Sequence, residues 1–183
     1  MGREIRRVPP NWQHPKQDCR HYPPCGTCYQ PMHDRNFEEA AREWVKEMIA
    51  WENGTHKYLI EDPSRKKESP FYWMWEGPPP EKEYHVPYTK EEATWYQLYE
   101  TVTEGTPVSP PFATKEELGN YLMTYGDDWD RKSGRGGWSK AMVENFLKDE
   151  WAPSFVATVG PQGATIQSGV EALSNAKQEN KKP

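Results

Sequence analysis

Cys19, Cys25 and Cys28 are the only cysteines in the chain, and they fall within ten residues of one another, with His33 close behind. Clustered thiolates repel unless a metal or a disulfide holds them. The spacing Cys-x5-Cys-x2-Cys with a following His suits a closed tetrahedral zinc site. Cys19, Cys25, Cys28 and His33 are therefore the expected metal ligands, with His14 and His21 competing for the fourth position. Zinc in such a site is structural and pins a segment too poor in apolar residues to fold alone. Two other readings of the same residues stay open: free loop thiols and a redox Cys-x-x-Cys. Against the redox reading, Cys25-Gly-Thr-Cys28 lacks a strand before it and a helix after it, and Pro23, Pro24 and Pro31 flank it.

Other chemistry is sparse. The chain has no Gly-x-Ser-x-Gly, no His-Glu-x-x-His and no Walker lysine loop. Ser133-Gly-Arg-Gly-Gly137 is glycine-rich and basic, as a phosphate cradle is, but no apolar strand precedes it. A mobile loop is the alternative. Glu100 lies on the apolar face of an expected strand, where burial would shift its pKa; a paired or half-solvated carboxylate is the plainer reading. His56 and His85 stand alone in expected loops. Tyr72, Trp73 and Trp75 could stack a base or a sugar, yet a chain with so few aliphatic residues needs those rings for its core.

The elements that must position these residues follow from composition and periodicity. A mean hydropathy of −1.07 points towards a solvated coil, but nine Trp, ten Tyr and five Phe among 183 residues are too many for one. Each ring can bury about 150–250 Å², so a few large side chains can build the core. Eighteen prolines are about twice the usual share. A compact, loop-rich, aromatic-cored domain is expected. The net charge of −5 does not suit a general nucleic-acid binder. No apolar run is long enough to span a membrane, and no apolar stretch follows the basic N-terminus as in a signal peptide. Arg7 stands where myristoylation wants Ser or Thr. An odd cysteine count points to a reducing compartment, so the cytoplasm is the expected location.

Residues 1–35 read as a Pro-rich, irregular segment. Asn36 and Glu39 suggest a cap for a helix whose stripe is Phe37, Ala41, Trp44, Met48 and Trp51, stopped by Asn53-Gly54. Phe71–Trp75 and Trp95–Thr103 read as strands. Thr114 and Glu117 form a capping box for a second helix with Leu118, Tyr121, Leu122 and Tyr125 inward. Residues 126–137 read as a polar mobile loop, and Ser139 caps a third helix with Met142, Val143, Phe146 and Leu147 inward. Phe155, Ala157 and Val159 alternate as a strand that turns at Gly160–Gly163, and a short helix follows at 169–174. The expected fold is α+β: a small aromatic-rich sheet packed with about three helices. Its divisions are 1–35, with the zinc-pinned cluster; 36–174, a single domain; and 175–183, a disordered tail.

Five stretches carry a resemblance. Tyr99-Glu-Thr-Val-Thr-Glu-Gly-Thr-Pro-Val-Ser-Pro-Pro-Phe-Ala-Thr-Lys-Glu-Glu-Leu118 resembles a segment of small hypothetical proteins of tailed bacteriophages and prophages. Arg6-Arg-Val-Pro-Pro-Asn-Trp-Gln-His-Pro15 and Phe37-Glu-Glu-Ala-Ala-Arg-Glu-Trp44 are similar to that family's start, and Trp151-Ala-Pro-Ser-Phe155 and Gly169-Val-Glu-Ala-Leu173 to its end. The resemblance implies a phage protein in the bacterial host cytoplasm; it carries no catalytic or cofactor residues with it. The expected function is a non-enzymatic accessory protein that binds a macromolecular partner, a host or defence component. A small enzyme acting on nucleotides or nucleic acid, using the 126–137 loop with Glu100 or Glu104, is the alternative. A minor virion component is the third.

Overall fold

The structure, a computed structural model, describes residues 2–18, 26–33, 35–101, 105–160 and 163–172. Strands β1 (Arg3–Val8), β2 (Lys16–Asp18) and β3 (Thr27–Tyr29) come first. Four helices follow, α1 (Phe37–Glu52), α2 (Lys57–Glu61), α3 (Arg65–Glu68) and α4 (Tyr72–Trp75), then a 3-10 turn at Glu81–Glu83. Next come β4 (Trp95–Glu100), β5 (Thr106–Pro107), α5 (Lys115–Tyr125), α6 (Asp128–Ser133) and α7 (Lys140–Asp149). Strands β6 (Trp151–Ala152), β7 (Phe155–Gly160) and β8 (Gly163–Ser168) lead into a helical turn at 169–172. The protein is α+β, as its pattern of elements indicates.

The chain forms two compact units, Met32–Val86 and a discontinuous unit of Met1–Pro31 with Pro87–Pro183. The boundary expected from the sequence lay at residue 35. The segment expected to be irregular supplies β1, which pairs antiparallel with β4 from Arg3↔Glu100 to Val8↔Trp95. It also supplies the β2–β3 ladder, Lys16↔Tyr29 to Asp18↔Thr27. Two of β1's arginines lie over rings of its neighbour, Arg6 4.8 Å from the Tyr99 centroid and Arg7 4.2 Å from that of Tyr96. Cation–π contact and long apolar stems therefore do in β1 what aliphatic side chains do in most strands. The expected tail at 175–183 lies outside the described residues.

In the discontinuous unit the strand order is β5-β4-β1-β6, with α5 and α7 supplying most of the rest of the core. Leu98, Val108, Leu118, Leu122, Trp138, Val143, Phe146, Ala152 and Val170 are buried together. The caps expected of α5 and α7 form: Thr114 Oγ1 accepts from the Glu117 amide, and Ser139 Oγ from the Met142 amide. Gly119 explains how closely the two helices approach. A Cβ there would lie 2.9 Å from Leu147 Cδ1 and 3.1 Å from Val143 Cγ1. Tyr125, expected inward, is exposed. β7 and β8 form a separate two-stranded ribbon, paired from Phe155↔Ser168 to Gly160↔Gly163.

In the Met32–Val86 unit α1 runs as its stripe predicts, with Asn36 Oδ1 capping the Glu38 amide and the Asn53 and Gly54 amides closing its last turn. Trp51, Leu59 and Tyr72 form the core, with Trp44 and Met48 packed on it. Phe71–Trp75 is not a strand. Tyr72 and Trp75 both reach the buried Trp51, at 5.8 and 5.5 Å between ring centroids, and residues three apart share a face on a helix but not on a strand. Among the described residues no helix is long and apolar enough to cross a membrane.

Candidate interaction surface and buried polar centres

α4 is one helical turn between Ser69-Pro70 and Gly77-Pro78. Its inner side is firmly seated. The Tyr72 ring lies 5.6 Å from Trp44 and 5.7 Å from His56, and Trp75 stacks on Trp51 at an interplanar angle of 22°. Trp44 Nε1 donates to the Glu76 carbonyl at 3.0 Å and Trp51 Nε1 to that of Ser69 at 3.1 Å, which ties α1 to both ends of the turn. The outer side carries Phe71, Trp73 and Met74, which are 53%, 59% and 49% exposed. The Phe71 and Trp73 rings are parallel within 9° at 6.1 Å. The sequence assigns Tyr72, Trp73 and Trp75 to the core; Tyr72 belongs there, Trp75 stacks on it from the edge at 38% exposure, and Trp73 faces water.

The sheet unit holds a buried ionic centre. Arg3, Glu100 and Asp127 are all buried. Arg3 Nε donates to Asp127 Oδ2 at 2.6 Å, and its guanidinium lies 3.8 Å from Glu100 Oε2. Glu100 Oε2 also accepts from Trp129 Nε1 at 2.7 Å. Asp127 Oδ1 accepts the backbone amides of Trp129 and Asp130 at the start of α6, and Trp138 Nε1 donates to Asp130 Oδ2. The carboxylate group of Glu100, the sequence's candidate for catalysis, is thus held by a guanidinium and an indole.

Within the expected mobile loop at 126–137, Asp128–Ser133 form α6, entered through Gly126 at φ 69° and ended by Gly134 at φ 71°. Gly126 has no room for a side chain, since a Cβ there would lie 2.6 Å from both Asp130 Cβ and the Gly136 carbonyl oxygen. A cavity of about 290 Å³ beside α6 is lined by Arg3, Asp127, Asp130, Arg135 and Glu171, among others. Three carboxylates share that wall, and Arg135 is spent on Ser133 Oγ and Asp130. This is the wrong electrostatics for a phosphate.

His14 is a second buried polar group. Nε2 lies 2.7 Å from the Gln30 carbonyl and Nδ1 3.1 Å from the Tyr99 hydroxyl, which also faces Gln97 Oε1 at 3.1 Å. Gln97 Nε2 donates to the Ser109 carbonyl. A carbonyl only accepts, so the neutral ring carries its hydrogen on Nε2. Burial holds the His14 pKa below its ordinary value, with the nearby Arg6 charge adding to the effect, and burial pushes that of Tyr99 well up. With both nitrogens engaged, His14 is not placed to serve as the fourth metal ligand.

Of the expected metal ligands, Cys19 and Cys25 lie outside the described residues, as does His21. Cys28 is half-buried on β3, opposite Gln17. His33 belongs to the Met32–Val86 unit, where its ring stacks on Tyr84 at 4.1 Å and 10° and its amide donates to the Glu83 carbonyl. Glu104 also lies outside the described residues. His56, expected in a loop, is buried, caps α2 through Nδ1 and faces Glu47 at 3.1 Å.

The β7–β8 ribbon completes the set of unusual surfaces. Val159, Ile166 and Phe155 are 83%, 74% and 62% exposed. Compared with protein-family models, curated proteins and solved structures, the chain matches none.

Proposed function

We propose that this chain is a non-enzymatic accessory protein of a tailed bacteriophage that acts in the host cytoplasm by binding a protein partner, a host or defence component. The observation that carries the reading is the division of labour in the turn at 71–75. Tyr72 is buried against Trp51 and Trp75 stacks on Trp51 while 38% exposed, whereas Phe71, Trp73 and Met74 are about half exposed or more. Aromatic residues and Met are enriched at the cores of protein interfaces, where a few such side chains supply most of the binding energy. Rings held on a fixed base lose little entropy on docking. The enzymatic alternative nominated the 126–137 segment with Glu100 or Glu104; Glu100 is buried and engaged by Trp129 and Arg3. As a minor virion component, the third reading, the protein would instead be found in purified particles.

The same proposal includes a structural zinc ion on Cys19, Cys25 and Cys28, with its fourth ligand a histidine other than His14. In its favour, the β2–β3 ladder pairs Asp18 with Thr27 and so draws together the two ends of the segment that carries the other cysteines.

The test is capture from host lysate on immobilised protein, followed by calorimetric titration of the captured protein once purified. A one-to-one complex is expected, with affinity falling by tenfold or more in Phe71→Ala, Trp73→Ala, as for hot-spot residues. Equal affinity in that variant, or a nucleotide-induced thermal shift with no protein partner, would overturn the proposal.

A further inference from the structure

We infer that the β7–β8 ribbon is a self-association face, on which two copies of this chain meet about a two-fold axis running along the strands. The antiparallel register sets Phe155 opposite Ser168, Ala157 opposite Ile166 and Val159 opposite Ala164. Directly opposed residues point to the same side of a ribbon. These six therefore form one face, with Ser168 its only polar member. Val156, Thr158, Thr165 and Gln167 form the other. A lone two-stranded ribbon is marginal in water, and this one turns its apolar face outward.

The pattern on the face selects the occupant. Each of the three rows joins one large side chain to one small, and the large one changes strand from row to row: Phe155 on β7, Ile166 on β8, Val159 on β7. A two-fold axis along the strands, midway between two ribbons packed face to face, keeps every residue in its row and moves it to the other strand. Phe155 of one copy then lies over Ser168 of the other, Ile166 over Ala157, and Val159 over Ala164. Large meets small in every row, and every contact is reciprocal, as an isologous interface requires. Such alternation is how facing sheets interdigitate at about 10 Å.

Charge agrees. No residue from 155 to 168 is ionisable, in a chain of net charge −5, so the body of the face brings no like charges together; Glu171, bonded to Ser168 Oγ, stands at one end of it. Area sets the strength. Six residues at about 3.3 Å each, across two strands with their side chains, offer roughly 200 Å² of flat face, well under the roughly 800 Å² per partner of a stable complex. The dimer is accordingly weak and concentration-dependent.

Sedimentation equilibrium of the purified chain between about 10 μM and about 1 mM, the range of weak complexes, is the test. A reversible monomer–dimer equilibrium is expected. Ile166→Asp should abolish it, and Thr165→Asp on the opposite face should not. The exchange Ala157→Ile with Ile166→Ala preserves large over small in its row and should keep the dimer. Ala157→Leu with Ala164→Leu adds apolar surface but fills the hollows, and should lose it. A chain that stays monomeric throughout overturns the inference, as does a dimer indifferent to Ile166→Asp or strengthened by the two leucines. Should Ile166→Asp disrupt the ribbon itself, the exchange variant, unchanged in composition, decides.

Discussion

Trp51 and Trp44 lie on one helix stripe, and the sequence treats them alike; their surroundings do not. Trp51 is fully buried against Tyr72, His56 and Trp75. Trp51→Ala should cost about 3–5 kcal/mol, by lost transfer energy plus the cavity left. Trp44 is half-buried, so Trp44→Ala should cost less, on the order of 2 kcal/mol. Urea unfolding of both variants checks the order, and equal losses would show that the stripe is evenly buried. Arg3→Met should be worse than its position in a charged strand suggests. It strands Glu100 and Asp127 without their cation, a loss of about 3–5 kcal/mol for a broken buried pair; a change under 1 kcal/mol would count against the centre. His14 makes a pH prediction. Its native pKa is lowered from 6.5, so below that value the unfolded chain binds more protons than the folded one. The His14 contribution is complete above pH 6.5 and is lost as pH falls towards the lowered native value. Urea midpoints should drop over that window, and His14→Asn should flatten the slope.

At the scale of elements, α1, α5 and α7 were legible because caps and 3.6-residue stripes are local signals. So was the β7–β8 alternation. β1 was not, because the partners that make Arg3 a core residue are Glu100 and Asp127, about a hundred residues away in the sequence. α6 was hidden for a related reason: Gly126, Gly134 and five charged residues between them look like a loop until the buried Asp127 is seen to cap the turn. α4 was misread because an aromatic run has high strand propensity, and only Trp51 reveals the three-residue spacing that matters. Two elements can be checked directly. Amides of 130–133 should exchange slowly, where a mobile loop would exchange at once. For the segment closed by β2 and β3, elemental analysis of untagged protein should find about one zinc per chain, lost to a chelator or to acid as the ligands protonate. Sub-stoichiometric zinc that stays the same in Cys25→Ser, Cys28→Ser would end the zinc proposal.

The whole molecule divides its apolar resources unevenly. The sheet unit buries a broad aliphatic and aromatic core, whereas the Met32–Val86 unit relies on Trp51, Leu59 and Tyr72. Hydrogen exchange in rising urea should therefore expose α1 and α2 before β4. Simultaneous loss of protection would mean that one cooperative transition spans both units. The pairing of β1 with β4 has a consequence in time as well. Arg3 and its partner Glu100 leave the ribosome roughly 5–20 s apart at about 5–20 residues per second. Through that interval β1 waits as an unpaired strand while the residues of the Met32–Val86 unit are made. Its three arginines and one glutamate, which weaken its signature as a strand, are the kind of charge that discourages mistaken edge pairing. The same side chains that obscure β1 on paper guard it during synthesis.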